Sequence, residues 1–134
     1  MRVFRGFMLL VLLVGLGSLG RSWFGDGSPR IQVPSLQIEV LNACGEPGLA
    51  NRAAQRLQRL GHDVVGIGDA PGATLERSVI VDRRGRDRLS RALARQIGPC
   101  PVVLERTPDP EADLTLFLGP DWADLRLFSP SGPV

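Results

Sequence analysis

The chain has few residues able to do chemistry, and their spacing limits what that chemistry is. Cys44 and His62 are the one thiol–imidazole combination with a nearby partner, because His62 is the sole histidine. A nucleophile, a base and an orienting group would have to converge. These two instead flank a stretch with helical periodicity, which puts them roughly 15–20 Å apart at ~1.5 Å per residue. His62 therefore reads as a boundary residue between a helix and a strand. Asp109, Glu111 and Asp113 alternate with Pro110 and Ala112, without the spacing or the glycine of a calcium loop, and read as a solvated acidic turn. The expectation is no catalytic residue, no metal ligand set and no cofactor.

One Gly-rich segment carries more structure. Ala43-Cys44-Gly45-Glu46-Pro47-Gly48 has the form A-x-G-x-x-G between a strand and a helix, one substitution from the dinucleotide fingerprint. Asp69 follows 21 residues after Gly48, near the place of a ribose-binding acid. Pro47 removes an N–H that a phosphate would use, and Glu46 puts a carboxylate where the phosphate would lie. A domain this short also lacks room for the usual double unit. The glycines read as a tight turn, with a ligand loop at the helix N-terminus as the alternative.

Cys44 and Cys100 are the only cysteines. In an oxidising compartment such a pair bridges, and closing that loop contributes up to roughly 4 kcal/mol. A disulfide is expected if the strands beside the two residues are antiparallel neighbours.

The elements that position these residues follow from periodicity. LQIEVL at residues 36–41 is a strand. Leu49, Ala53, Leu57 and Leu60 give a helical stripe ended by Gly61. DVVGI at 63–67 and SVIVD at 78–82 are strands. Leu89, Leu93 and Ile97 mark a second helix over residues 86–97, stopped by Gly98-Pro99. Residues 102–104 and 114–118 are two more strands. The order β-α-β-β-α-β-β predicts an α+β fold, a two-layer sandwich that is ferredoxin-like or related.

Before that body, residues 6–20 (GFMLLVLLVGLGSLG) carry no charge, after Arg2 and Arg5. Fifteen helical residues span about 22 Å, short of the ~30 Å hydrocarbon core, which suits a signal segment. Against cleavage, no Ala-x-Ala site exists, and Arg5, Arg21, Trp23 and Phe24 extend the usable length. Residues 1–24 are therefore a membrane anchor or signal segment, with the body facing the periplasm or cell exterior. Residues 25–35 (GDGSPRIQVPS) are a linker, 36–124 the domain and 125–134 a flexible tail.

Length and charge set the remaining bounds. The domain has 89 of the 134 residues, enough for one modest core. All 16 basic residues are Arg and the formal net charge is +2, too small to mark a nucleic-acid binder. The charge is segregated. The first helix carries Arg52, Arg56 and Arg59 without an acid, and residues 83–98 carry a net +5. Residues 101–124 carry a net −5. Arg52, Arg56, Arg59, Arg88, Arg91 and Arg95 fall opposite the apolar stripes, a candidate interaction surface for anionic envelope polymer or an envelope protein. Nucleic acid is not an expected partner, for there is almost no aromatic interleaving.

Three segments together resemble a known family. These are Ile38-Glu39-Val40-Leu41-Asn42 with Gly45-Glu46-Pro47-Gly48-Leu49-Ala50, Gly61-His62-Asp63-Val64-Val65, and Ala112-Asp113-Leu114-Thr115-Leu116-Phe117-Leu118-Gly119-Pro120-Asp121-Trp122. They look like the C-terminal domain of LytR/CpsA/Psr-type proteins, over nearly the whole body. His62 stands where that family often has an aromatic residue. The resemblance implies a small α/β domain of the cell envelope that occurs behind a phosphotransferase domain or alone behind one membrane helix. The phosphotransferase domain is absent, so ligase activity does not carry over. Asn42, Gly45, Pro47, Gly48, Gly119, Asp121 and Trp122 match the family pattern. The reading is a non-enzymatic, exported, membrane-tethered accessory or scaffold domain. The alternative is an extracytoplasmic ligand-binding sensor using the Gly45–Gly48 turn.

Overall fold

A computed structural model describes residues 33–73 and 75–131. The expected anchor and most of the linker lie outside them. Among the described residues no helix is long and apolar enough to cross a membrane.

Five strands and two helices appear in the expected order. β1 (Gln37–Asn42) alternates exposed or half-buried positions with fully buried ones, the period of a strand covered on one face. α1 (Leu49–Arg59) is built largely from Leu, Ala, Gln and Arg, all strong helix formers. Its residues Leu49, Ala53 and Leu57 are wholly buried at four-residue spacing. β2 (Asp63–Asp69), β3 (Val79–Asp82), α2 (Asp87–Ile97), β4 (Val102–Leu104) and β5 (Leu114–Leu118) complete the set.

The sheet order is β2-β1-β5-β3-β4. β1 is parallel to β2 and to β5, β3 is parallel to β4, and β3 runs antiparallel to β5. The molecule is thus two β-α-β units, β1-α1-β2 and β3-α2-β4, on either side of β5. The two-layer α+β reading holds. The ferredoxin-like version does not: there the strands of each unit are separated by another strand, whereas here they are adjacent. The expected antiparallel neighbour of β1 is instead β5, running parallel.

One core serves the molecule. Ile38, Val40, Ile80, Leu114, Leu116 and Leu118 from the sheet meet Leu49, Leu57, Leu93 and Ile97 from the helices in a single cluster. Both helices therefore cover the same sheet face. The same cluster contains Leu125 and Leu127, 1% and 2% exposed. Leu125 is the extended residue between two short 3-10 turns, Trp122–Asp124 and Arg126–Phe128, and Leu127 lies in the second. The expected tail from residue 125 is a correction: the domain runs on through this strap, which packs against both helices. Gly98 shows how tightly: a Cβ there would lie 2.6 Å from the Arg126 backbone nitrogen.

Candidate functional site

The Gly-rich turn is organised by Asn42. Its Oδ1 accepts the N–H groups of Cys44 (3.1 Å) and Gly45 (3.2 Å), and its Nδ2 donates to the Glu46 carbonyl at 2.6 Å. Gly45 and Gly48 take positive φ, 76° and 69°, which Gly alone adopts without strain. Asp69 does lie across an open groove of about 550 Å³ from this turn. The first N–H groups of the turn are nevertheless occupied by Asn42, Pro47 has none, and Glu46 is 3.7 Å from Arg52. The turn is a joint of the fold, held by its own Asn42.

The two cysteines are free, so the expected bridge is not made. Cys44 follows β1 and Cys100 precedes β4, which puts them at the same end of the sheet. Two strands, β5 and β3, stand between, and three strand spacings are about 14 Å, twice what a disulfide spans. The Cys100 thiol is pushed up to about 12 by burial and by the nearby Asp121 charge. His62 is a buried joint: its Nδ1 accepts the Leu36 N–H at 3.4 Å and its Nε2 lies 2.9 Å from Gln96 Oε1. Those contacts call for the neutral tautomer with the proton on Nε2.

The six helix arginines do not form one free layer. Arg52 stacks over Trp122, 5.0 Å from the ring centre, and Arg56 over Phe128 at 5.7 Å. Arg56 also donates to the Leu127 carbonyl at 2.9 Å. The two rings meet edge to face at 5.3 Å. Half of this set thus clasps the C-terminal strap through cation–π contacts or, for Arg91, pairs with Asp87 at 2.9 Å. Arg59, Arg88 and Arg95 remain exposed without an ion pair among the described residues.

The polar convergence lies on the other, helix-free face of the sheet. Strand register sets Glu39 beside Thr115, and Thr115 beside Val81. The wholly buried Thr115 hydroxyl donates to Glu39 Oε2 at 3.0 Å and accepts from Arg83 Nε at 3.2 Å. Arg83 also pairs with Glu105 at 3.3 Å. Gly66 sits opposite Glu39, and a Cβ there would come 3.3 Å from its side chain. Above this floor is a groove of about 420 Å³ walled by the loop carrying Asp109 and Glu111. The groove meets a second cleft of about 350 Å³ that Arg83, Arg84, Arg86 and Arg106 line.

That cleft rests on Asp82, 1% exposed. Its Oδ1 accepts from the Arg84 N–H (3.0 Å) and the Gly85 N–H (2.8 Å), and its Oδ2 accepts from Ser90 Oγ at 2.8 Å. Burial pushes the Asp82 carboxyl up, but the bonds from Ser90 and from the backbone of Arg86, Gly85 and Arg84 outweigh it, and the pKa ends lowered from 3.8. Behind the cleft, Asp113 holds Arg84 at 2.7 Å and Arg86 at 3.9 Å and accepts the Gln37 N–H at 3.0 Å. Asp113 is 8% exposed, so the acidic turn expected to be solvated is solvated at Asp109 and Glu111 and structural at Asp113. Sequence reasoning missed this site. Its signal was a charged residue in the middle of β1, between Ile38 and Val40, and a Thr set singly into the otherwise apolar β5.

The closing motif is structural as well. A Cβ at Gly119 would lie 2.5 Å from the Arg77 carbonyl carbon, and the Gly119 N–H donates to Ser78 Oγ at 3.0 Å. Asp121 Oδ1 accepts from Ser78 through its N–H (2.6 Å) and its hydroxyl (2.8 Å). These contacts define a small two-layer α/β module, with paired β-α-β units joined through a central strand and locked by a C-terminal strap. The family described as LytR cell envelope-related transcriptional attenuator, a LytR C-terminal domain, matches residues 35–122, and the chain belongs to it. The fold is shared with the crystallised soluble domain of a conserved hypothetical secreted protein from Mycobacterium marinum. That likeness has a TM-score of 0.54 and 22% identity, covering 78% of this chain and 72% of the other. No curated protein matches.

Proposed function

We propose that this protein is an exported, membrane-tethered, non-enzymatic accessory domain of the cell envelope. The observation that carries the reading is where the family-pattern residues act. Asn42 closes the first turn, Gly119 and Asp121 lock Ser78, and Trp122 is clasped by Arg52. These residues build a scaffold and leave the outward surfaces free to meet a partner, which is the design of an interaction module. The family's description as cell envelope-related and the secreted character of the structural relative support an extracytoplasmic body. The Arg-flanked apolar run at residues 6–20 supplies the tether, with its positive charge on the cytoplasmic side. The partner is an envelope protein or an anionic envelope polymer. The alternative is a sensor at the Gly45–Gly48 turn: Asn42 takes the N–H groups of Cys44 and Gly45 for the fold, and a ligand would use the later N–H groups of the helix start, beside the open groove.

The test is topology and partner capture in intact cells. The body should be digested by protease added to spheroplasts, and the chain should stay with membranes after carbonate washing. A photoreactive residue at Arg59 should crosslink envelope components. A protease-protected body, or recovery of cytoplasmic partners alone, overturns the reading.

A further inference from the structure

The groove on the helix-free face of the sheet and the cleft that adjoins it have opposite charge. The groove over Thr115 presents Glu39, Asp109 and Glu111. Glu39 uses one oxygen on Thr115 and has no ion pair among the described residues. The neighbouring cleft presents four guanidinium groups and no acid on its lining. Arg83, Thr107 and Pro110 belong to both, so Arg83 is the seam between an acidic and a basic half.

The basic half is held in shape before any ligand arrives. Arg84 is fixed from behind by Asp113 and by the Pro110 carbonyl at 3.0 Å. Arg83 is fixed by Thr115 and Glu105. Among the described residues these contacts leave Nη2 of Arg83 and Nη1 of Arg84 without a partner. Arg106 lies flat on Gly85: its Nε and Nη2 are 2.7 and 2.8 Å from where a Cβ would stand. A side chain at residue 85 would displace it. Gly85 itself has φ +76°, a second reason for glycine there. Planar guanidinium forks in fixed positions suit the oxygens of a phosphate, while a half-buried carboxylate with a free oxygen beside two more suits an ammonium group.

The geometry points to a binding site for a phosphorylated amine of the phosphoethanolamine type, its phosphate among Arg83, Arg84, Arg86 and Arg106 and its ammonium toward Glu39. This goes beyond the accessory role proposed above and does not depend on it. The chemistry has two sources, the headgroup of phosphatidylethanolamine or a soluble phosphoamine.

The test uses the isotope-labelled full chain in a neutral detergent, followed through backbone amide shifts. Phosphoethanolamine should move Gly85, Arg106 and Thr115 together. It should bind about tenfold more tightly than glycerol 3-phosphate or inorganic phosphate, the gain from one charge-assisted contact, and ethanolamine alone should not saturate. Glu39→Gln should abolish the preference over glycerol 3-phosphate and leave phosphate affinity unchanged. The double variant Arg86→Gln/Arg106→Gln should weaken every phosphate probe about tenfold or more. The matched control Arg77→Gln/Arg126→Gln removes the same charge at two exposed side chains outside both clefts and should change nothing. Equal wild-type affinity for phosphoethanolamine and glycerol 3-phosphate overturns the proposal. So does an equal loss in the control, or the absence of shifts at those amides. The same amides moving with phosphatidylethanolamine bicelles upholds the site with a lipid source, and movement with the soluble ester alone upholds it with a soluble one. None of these readouts depends on where the protein resides, so a failure here is distinct from a failure of the topology experiment.

Discussion

Asn42 and Asp82 occupy the same position in the two halves of the molecule. Each is the last residue of the first strand of a β-α-β unit. Each side-chain oxygen accepts the N–H groups of the residues two and three positions on. In both cases the third residue is a glycine at φ 76°. Each helix that follows has 11 residues and is followed by a glycine with positive φ, Gly61 or Gly98. The domain is an internal repeat wrapped around β5, with one copy of the turn capped by an amide and the other by a carboxylate.

That difference is testable at Asp82. Asp82→Ala removes the acceptor for three hydrogen bonds at a buried site and should destabilise by about 2–4 kcal/mol. Asp82→Asn copies the Asn42 turn and should lose less. The carboxyl pKa is lowered in the folded state. Its contribution is therefore complete above the ordinary value of 3.8 and is lost as pH falls through the lower native value. The stability gap between wild type and Asp82→Asn should be widest near neutrality and narrow on acidification. Urea melts from pH 6 to pH 2.5 showing a constant gap would refute this assignment.

Gly119 tests the closing motif by sterics alone. Its Cβ would meet the Arg77 carbonyl carbon at 2.5 Å and the Ser78 nitrogen at 2.8 Å. Both are backbone atoms, which cannot swing aside. Gly119→Ala should cost about 3 kcal/mol or more. Gly72→Ala, at a position with φ +81° and open space, should cost only about 1 kcal/mol. Similar melting temperatures for the two variants would show that the close approach does not matter.

Element type and order were legible because both helices carry an apolar stripe and the strands are short apolar or alternating runs bounded by turn residues. Leu49, Ala53 and Leu57 announce α1 without reference to anything distant. Strand pairing was not legible: β5 inserts between β1 and β3, and no local feature of Leu114–Leu118 states that β1 runs beside it in parallel. The disulfide expectation failed with that pairing. The groove was hidden for the same reason, since Glu39, Arg83 and Thr115 are far apart in sequence and meet only through sheet register. Leu125 and Leu127 were missed because single 3-10 turns have no amphipathic repeat long enough to detect.

The cysteines give a chemical readout of the parallel arrangement. With Cys100 pushed up to about 12 and buried, its thiolate is scarce at pH 8 and shielded. Iodoacetamide should label the half-buried Cys44 in the native protein and Cys100 only after denaturation. Melting temperatures should be equal with and without reductant. An intact mass two hydrogens below the reduced chain would contradict the free thiols.

The strap supplies the sharpest test of where the domain ends. Truncation after Asp124 removes Leu125 and Leu127, both almost wholly buried among core side chains. Each large-to-small loss of that kind costs about 2–5 kcal/mol, a sum comparable with the whole stability of a small domain at about 5–15 kcal/mol. It also takes away Phe128, the ring under Arg56, and the Leu127 carbonyl that receives Arg56. The truncated chain should lose its cooperative thermal transition, whereas a chain ending at Ser131 should melt like the full protein. Leu125→Ala and Leu127→Ala separately should each lower stability by an amount in that range, and Arg56→Gln by about 1 kcal/mol. The ordering distinguishes packing from charge: if Arg56→Gln proved as damaging as Leu127→Ala, the strap would be held by its cation–π clasp and hydrogen bond rather than by its buried leucines.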